Sequence, residues 1–257
     1  MILDKIVEDK KVRLVEHKSR ISPAEIRKLA EQCEAHPASF YEGLAKPGIS
    51  IIGEFKKASP SLGNITSQID LTKRIDEYNA SVDCISCLTE EDHFLGNVDY
   101  LKEIREISPL PILRKDFMID EYQFYEAKAI GANAILLITG ILDDVQLRDF
   151  YQLTTELGLD ALFEAHTEEQ MDRALNCGAK IVGVNNRDLR DFSIKLDTTK
   201  RLSKMVPDDR IFVAESGIVS DEDVKYLNEC CVDAFLIGRA FMESANPQEL
   251  AKHWKAL

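Results

Sequence analysis

Eight short apolar runs recur along the chain at a spacing of about 20 to 33 residues, and this repeat constrains the fold more than any other feature. They are ISIIGEF near position 50, DCISCL near 84, PILRKDF near 112, AILLIT near 135, ALFEA near 162, IVGVNN near 182, IFVAES near 212 and AFLIG near 235. Most are nearly continuous in apolar residues, as parallel strands covered on both faces require. Between them lie amphipathic stretches with helical spacing, for example 120–132 and 167–179, several opening on Asp or Thr and closing near Gly. Eight strand–helix units in about 210 residues predict an α/β fold of the (β/α)8 barrel type. An open doubly wound sheet is the alternative, but no GxGxxG loop follows the first run.

Residues 1–48 precede the first run and carry two helical patterns, the second with Ser22 as cap and Pro23 at the first helical position. No Gly/Ser-rich linker separates them from the repeat. They are expected to be a helical extension packed on the barrel, so that 1–257 forms one domain.

Composition narrows the function. At 257 residues, 45% hydrophobic and 30% charged, the chain suits a large single domain. A net charge of -13 argues against a nucleic-acid surface, which needs clustered Lys and Arg. No apolar run approaches the roughly 18 residues of a membrane span, and the charges scattered through the N-terminus do not make a secretory signal. A cytoplasmic protein with reduced cysteines is expected. Cys84 and Cys87 have CxxC spacing, but residues three apart on a strand face opposite sides and no second CxxC follows. Cys33, Cys177, Cys230 and Cys231 read as small packing residues.

In such barrels chemistry gathers at the C-terminal ends of the strands. The first run ends in GEFKKASPS, residues 53–61, where alternation puts Ile52, Glu54 and Lys56 on one face. The third run ends in Arg114-Lys115-Asp116, the fifth in Glu164 and the sixth in Asn185-Asn186-Arg187. The seventh ends in Glu215-Ser216-Gly217 and the eighth in Gly238-Arg239. Two lysines, three glutamates and an asparagine thus converge on one mouth, a set suited to acid–base work. Lysines buried beside one another and beside carboxylates can shift toward neutral pKa, and a glutamate in an apolar mouth can rise to act as an acid. SGI and GRA offer glycine-flanked N–H groups after the last two strands, where barrels hold phosphate. With no zinc-type cluster, Walker loop or dinucleotide loop, neither metal nor cofactor is expected. His166 is the one histidine near the mouth, expected to be solvated or to stand behind the reacting groups.

The ordered segments IGEFKKASPS, ILRKDFMID, EYQFYEAKAIGANAILLI, LFEAHTEEQ, GVNNRDL, VAESGI and DAFLIGRAFM resemble the indole-3-glycerol-phosphate synthase family of tryptophan biosynthesis. The likeness runs essentially the whole chain, and ILDKIVEDKK is similar to that family's N-terminal helical extension. The resemblance implies a carboxy-lyase that takes 1-(2-carboxyphenylamino)-1-deoxyribulose 5-phosphate through ring closure, decarboxylation and dehydration to indole-3-glycerol phosphate. It implies Lys115 as the acid that protonates the ribulose carbonyl oxygen, and Glu164 in acid–base duty. Lys56, with Glu54 beside it, meets the anthranilate carboxylate. Asn185 and Glu215 hold hydroxyls and orient the lysines. Ser59, Arg187, Ser216, Gly217, Leu236 and Gly238 are implied substrate and phosphate contacts, with Arg239 at the phosphate edge. The expected partner is this phosphorylated small molecule, with neither nucleic acid nor membrane, and the protein a monomer or weak homodimer.

Two positions depart from the family pattern. Arg239 stands where relatives often carry Ser or Glu, and Leu62 replaces a residue that is often basic. A phosphoribosylanthranilate-isomerase type of barrel is the nearest rival, but it would carry Cys at the end of the first strand and Asp at the end of the sixth. A non-catalytic phosphosugar-binding barrel has no need of Lys56, Lys115 and Glu164 together.

Overall fold

The computed structural model describes residues 2–34, 36–56, 58–59, 63–64, 70–188 and 193–257, with backbone alone at 58–59 and 63–64. The eight runs are eight parallel strands of one closed barrel. They are β1 (Ser50–Phe55), β2 (Cys84–Leu88), β3 (Ile112–Lys115), β4 (Ala134–Ile138), β5 (Asp160–Ala165), β6 (Ile181–Asn185), β7 (Ile211–Glu215) and β8 (Ala234–Ile237). Neighbours in sequence are neighbours in the barrel, and β8 closes on β1 with Ile52 opposite Leu236. Helices α1 (Ile2–Arg20), α2 (Pro23–Gln32) and α3 (Phe40–Leu44) precede β1. After β1 to β7 come, in turn, α4 (Leu71–Asn79), α5 (Val98–Ile107), α6 (Glu121–Ala129), α7 (Asp144–Glu156), α8 (Glu168–Asn176), α9 (Asp197–Leu202) and α10 (Asp221–Asn228). After β8 come α11 (Arg239–Glu243) and α12 (Pro247–Lys255). Asp70, Asn97, Asp120, Asp143, Thr167 and Ser220 cap helices by accepting from first-turn N–H groups, which ends each loop at a fixed point. Among the described residues, no helix is long and apolar enough to cross a membrane.

Strand alternation divides the apolar residues into two cores. Outward residues such as Ile51, Phe55, Ile135 and Phe163 pack under the helices, while Ile52, Leu113, Leu136, Leu162, Val213 and Leu236 fill the barrel axis. Phe40 and Leu44 of α3 join the inner core. They do so at its N-terminal end, where Ser39 Oγ and Tyr41 N donate to Asp160 Oδ2 at 3.2 and 3.0 Å. A short antiparallel ladder, Ala58–Ser59 with Gly63–Asn64, follows β1. Lys57, Leu62 and the side chain of Ser59 lie outside the described residues.

The extension is wired to the mouth. Ser22 caps α2 as predicted, and Leu14, Ile26 and Tyr122 pack α1 and α2 against α6. Lys10 of α1, 2% exposed, pairs with Asp116 at 2.8 Å. Asp116 also accepts from Thr89 Oγ1 at 2.7 Å and faces Arg114 at 3.3 Å, and Arg114 pairs with Glu126 at 2.6 Å. Arg13 bonds Asp92, His17 meets Glu91 at 2.9 Å and His93 meets Asp9 at 2.8 Å, fastening α1 to the loop after β2. Burial pushes the Asp116 carboxyl up, but Lys10 and Arg114 outweigh it and hold it below the ordinary range. A carboxylate depressed in this way stabilises the fold above its unfolded pKa, and that stability is lost on acidification. Removing one partner of a buried pair strands the other charge. Lys10→Met is therefore expected to lower unfolding free energy in urea by about 3 kcal/mol. Adding Asp116→Asn should recover part of that loss; strictly additive effects would show that the pair is not coupled.

Candidate active site

The mouth at the C-terminal ends of the strands holds a cavity whose lining includes Glu54, Lys56, Lys115, Glu164, Asn185 and Glu215. Arg187, Ser216, Gly217, Leu236, Gly238 and Arg239 complete the predicted set, apart from the undescribed side chain of Ser59. Of the run Arg114-Lys115-Asp116, Lys115 turns inward and Arg114 turns away into the network with Glu126. Asn186 does not serve the cavity centre. Its Nδ2 donates to the carbonyls of Glu215 and Ser216 at 3.1 and 3.2 Å, which fixes the exit of β7.

Lys115 is the hub. Its Nζ lies 2.6 Å from Glu215 Oε2 and 3.5 Å from Glu164 Oε2, and Asn185 Nδ2 donates to the same Glu164 oxygen at 3.1 Å. Glu54, 2% exposed, is ion-paired with Lys56, its neighbour on the same face at the end of β1. Burial pulls the Lys115 ammonium down, but Glu215, Glu164 and Glu54 outweigh it and hold it above the ordinary lysine range. The expected fall of a lysine toward neutral is thus corrected: three surrounding carboxylates win over desolvation. The group brought near neutrality is a carboxyl. Burial drives Glu215 up, Lys115 opposes, Glu164 and Glu54 add to the rise, and its pKa reaches about 7.

Two carboxylate oxygens here, Glu164 Oε1 and Glu215 Oε1, are buried without a hydrogen bond among the described residues, as is Ser86 Oγ in the barrel. Unsatisfied groups of this kind are costly, and in a cleft they mark where a ligand's polar atoms go. At the rim, Ser216 and Gly217 take successive positive φ values of 65° and 82°, a left-handed exit from β7 that Gly217 adopts without the strain a side chain would add. Burial lowers the Arg187 guanidinium, Glu54 pushes back and Arg239 adds to the fall. Arg239 is half exposed and bonds Glu243 at 2.9 Å, so it stands at the edge of the cavity.

Sequence reading missed the apolar wall and Gly183, and it gave Gly217 and Gly238 a phosphate role without the crowding that surrounds them. Phe94 and Phe117, with ring centroids 6.1 Å apart, line the cavity with Leu136, yet in sequence they read as ordinary core or loop. The loop bearing Phe94 is held by buried Glu90, whose carboxylate accepts from the N–H groups of Asp92, His93 and Phe94 at 3.1, 2.7 and 3.0 Å. A Cβ at Gly183 would collide with Glu215 Oε1. One at Gly238 would collide with Glu54 Oε1 and come within 2.6 Å of Lys56 Nζ. At Gly217, φ is +82° and a Cβ would lie 2.6 Å from Ile194 Cγ2. Gly238 therefore makes room for an ion pair, a demand that a GR dipeptide does not reveal.

A closed parallel barrel with acids and lysines at its C-terminal mouth defines the class: a (β/α)8-barrel enzyme. Among solved structures, 3-hexulose-6-phosphate synthase from Salmonella typhimurium superposes with a TM-score of 0.64 at 15% identity, covering 81% of this chain and 97% of that one. A thiamine phosphate pyrophosphorylase from Pyrococcus furiosus gives 0.59 at 12% identity, covering 81% and 94%. At such identities the likeness is one of fold. The sequence goes further, since the family model for indole-3-glycerol phosphate synthase matches residues 3–254. The indole-3-glycerol phosphate synthase of Lachnospira eligens is 54% identical over 260 residues, covering 99% of this chain and 97% of its own. Those of Clostridium acetobutylicum (49%, covering 95% and 93%) and Acetivibrio thermocellus (46%, covering 100% of both) follow. The chain belongs to the indole-3-glycerol phosphate synthase family, carboxy-lyases of tryptophan biosynthesis that act on a phosphorylated small molecule.

Two outcomes test this geometry. Gly183→Ala should displace Glu215 from Lys115 and lower kcat by about tenfold or more while the barrel stays folded, as judged by far-UV circular dichroism; wild-type turnover would show that Glu215 has room to spare. The Glu215 carboxyl, followed by ¹³C NMR, should titrate near pH 7, with Glu164→Gln lowering that value and Lys115→Met raising it. Because the folded pKa lies above the ordinary 4.5, ionising Glu215 costs stability between about pH 4.5 and 7. The stability of Glu215→Gln relative to wild type should therefore rise across that interval.

Proposed function

We propose that this cavity closes the indole ring of 1-(2-carboxyphenylamino)-1-deoxyribulose 5-phosphate, expels carbon dioxide and water, and releases indole-3-glycerol phosphate. The observation that carries the reading is Lys115, an ammonium held charged by Glu215 and Glu164 in a buried mouth. Such a group protonates the ribulose carbonyl oxygen as the aromatic ring carbon attacks its carbon. The wall of Phe94, Phe117 and Leu136 receives the aromatic ring and keeps water from it. Lys56 meets the ring carboxylate, exchanging Glu54 for the substrate while the carboxylate remains, and it loses that contact when carbon dioxide leaves. Glu164, oriented by Asn185, handles the protons of the dehydration. Asn185 and Glu215 hold substrate hydroxyls.

The phosphate sits at the rim formed by the ends of β7 and β8. Its proposed holders are the backbone N–H groups around Ser216, Gly217 and Gly238, with Arg187 lining the same cavity and Arg239 at the edge. Ser59 and Leu236 complete the contacts.

The division of labour between the lysines has a kinetic signature. Lys115→Met should remove most of kcat and leave substrate affinity within about tenfold, because its interaction develops in the transition state. Lys56→Met should also raise KM, since a carboxylate contact already exists in the ground state. Steady-state assays following indole fluorescence separate the two, and identical profiles for both variants would refute the assignment.

A further inference from the structure

The reaction takes up a proton. Ring closure forms a carbon–carbon bond and converts the carbonyl oxygen to a hydroxyl, consuming one proton. Loss of carbon dioxide returns its electron pair to the ring without a proton. Dehydration consumes a second proton as the hydroxyl departs as water, and releases one from the adjacent methylene carbon as the indole double bond forms. Two in and one out leave one proton to be drawn from solvent in each turnover.

Glu164 offers a path for that proton from behind. Its Oε2 faces Lys115 Nζ at 3.5 Å, while its Oε1, buried and without a hydrogen bond, faces His166 Nε2 at 3.7 Å. His166 Nε2 is likewise buried and unbonded among the described residues. Two orphaned polar atoms thus stand face to face just beyond bonding distance, and Nε2 donates to the carboxylate in the tautomer that carries its proton there. Such gaps close in the loaded enzyme, where catalytic hydrogen bonds tighten. His166 also lines a second cavity beside the mouth, shared with Asn185 and bordered by Asp188, Lys195 and Arg201. Lys195 and Arg201 are exposed, so this cavity reaches solvent. The ring is carried on a fixed backbone: His166 N donates to Gln170 Oε1 at 2.8 Å, and Arg201 Nη2 donates to His166 O at 3.3 Å.

We propose that His166 is the port through which the consumed proton passes from the side cavity to Glu164 and on to Lys115. An imidazole suits the task because one nitrogen accepts as the other donates. His166 does not touch substrate and acts through Glu164, so the proposal rests on the acid–base reading of Glu164 given above. Glu164 and Lys115 face it from the barrel side, and Asp188, Lys195 and Arg201 from the cavity side.

The test uses His166→Ala and His166→Gln at fixed pH in weak buffer. Both should lose about tenfold in kcat with KM within about twofold. Added imidazole should restore His166→Ala in proportion to its concentration, and should leave wild type, His166→Gln and Glu164→Gln unchanged. Wild-type kcat in both His166 variants would overturn the port, and so would a loss in His166→Ala that imidazole does not relieve. If Glu164→Gln kept full activity, the parent reading would fall with it; an inactive Glu164→Gln beside fully active His166 variants would remove the port alone.

Discussion

Alternation along a parallel strand is the constraint on which this molecule depends. Every second residue of eight strands faces one axis, and closing the sheet brings those residues together at its C-terminal rim. Glu54, Lys115, Glu164 and Glu215 come from four different strands, far apart in sequence, and meet because each occupies an inward position near a strand end. Below them most inward positions are apolar, so the charges rest on a floor of low polarity.

That floor decides the electrostatics. In a low-dielectric setting three carboxylates around one ammonium cannot all remain indifferent to pH: the ammonium is locked on and one carboxyl is pushed to neutrality. In the function proposed above, the substrate's carboxylate competes with Glu54 for Lys56, and its phosphate comes beside Arg187 and Arg239. Binding is therefore an exchange of partners, with the protein's own acids holding the cations in place beforehand. Such preorganisation leaves little reorientation to be done in the transition state.

The sequence disclosed what periodicity and charge contrast can carry. Eight runs gave eight strands to within two residues at each end, and a charged residue ending an apolar run pointed to the mouth. What it did not disclose depends on through-space neighbours. Phe94 and Phe117 are apolar among many apolar residues, and nothing local says that they face a ligand. Gly183 looks like an ordinary strand glycine until Glu215 is seen lying over it, and Gly238, singled out for phosphate, gives no sign in sequence that Glu54 crowds it. Arg114 shares a segment with Lys115 yet belongs to a separate network, because adjacent strand residues point to opposite faces. The direction of the Lys115 shift also escaped, since it turns on the number of carboxylates within reach.

The closure of β8 on β1 has a consequence in time. Glu54 and Lys56 stand against Gly238, so half of the site is assembled from the first and last strands of the barrel. At a synthesis rate of roughly 5 to 20 residues per second, β1 waits on the order of 10 s or more for its final neighbour. Throughout that interval its edge is unpaired and its acid and base have no wall. Lys18 and Arg13 of the first helix wait as well, for partners 102 and 79 residues downstream. Catalytic competence thus arrives with the last long-range contact, and turnover serves as a readout of finished folding.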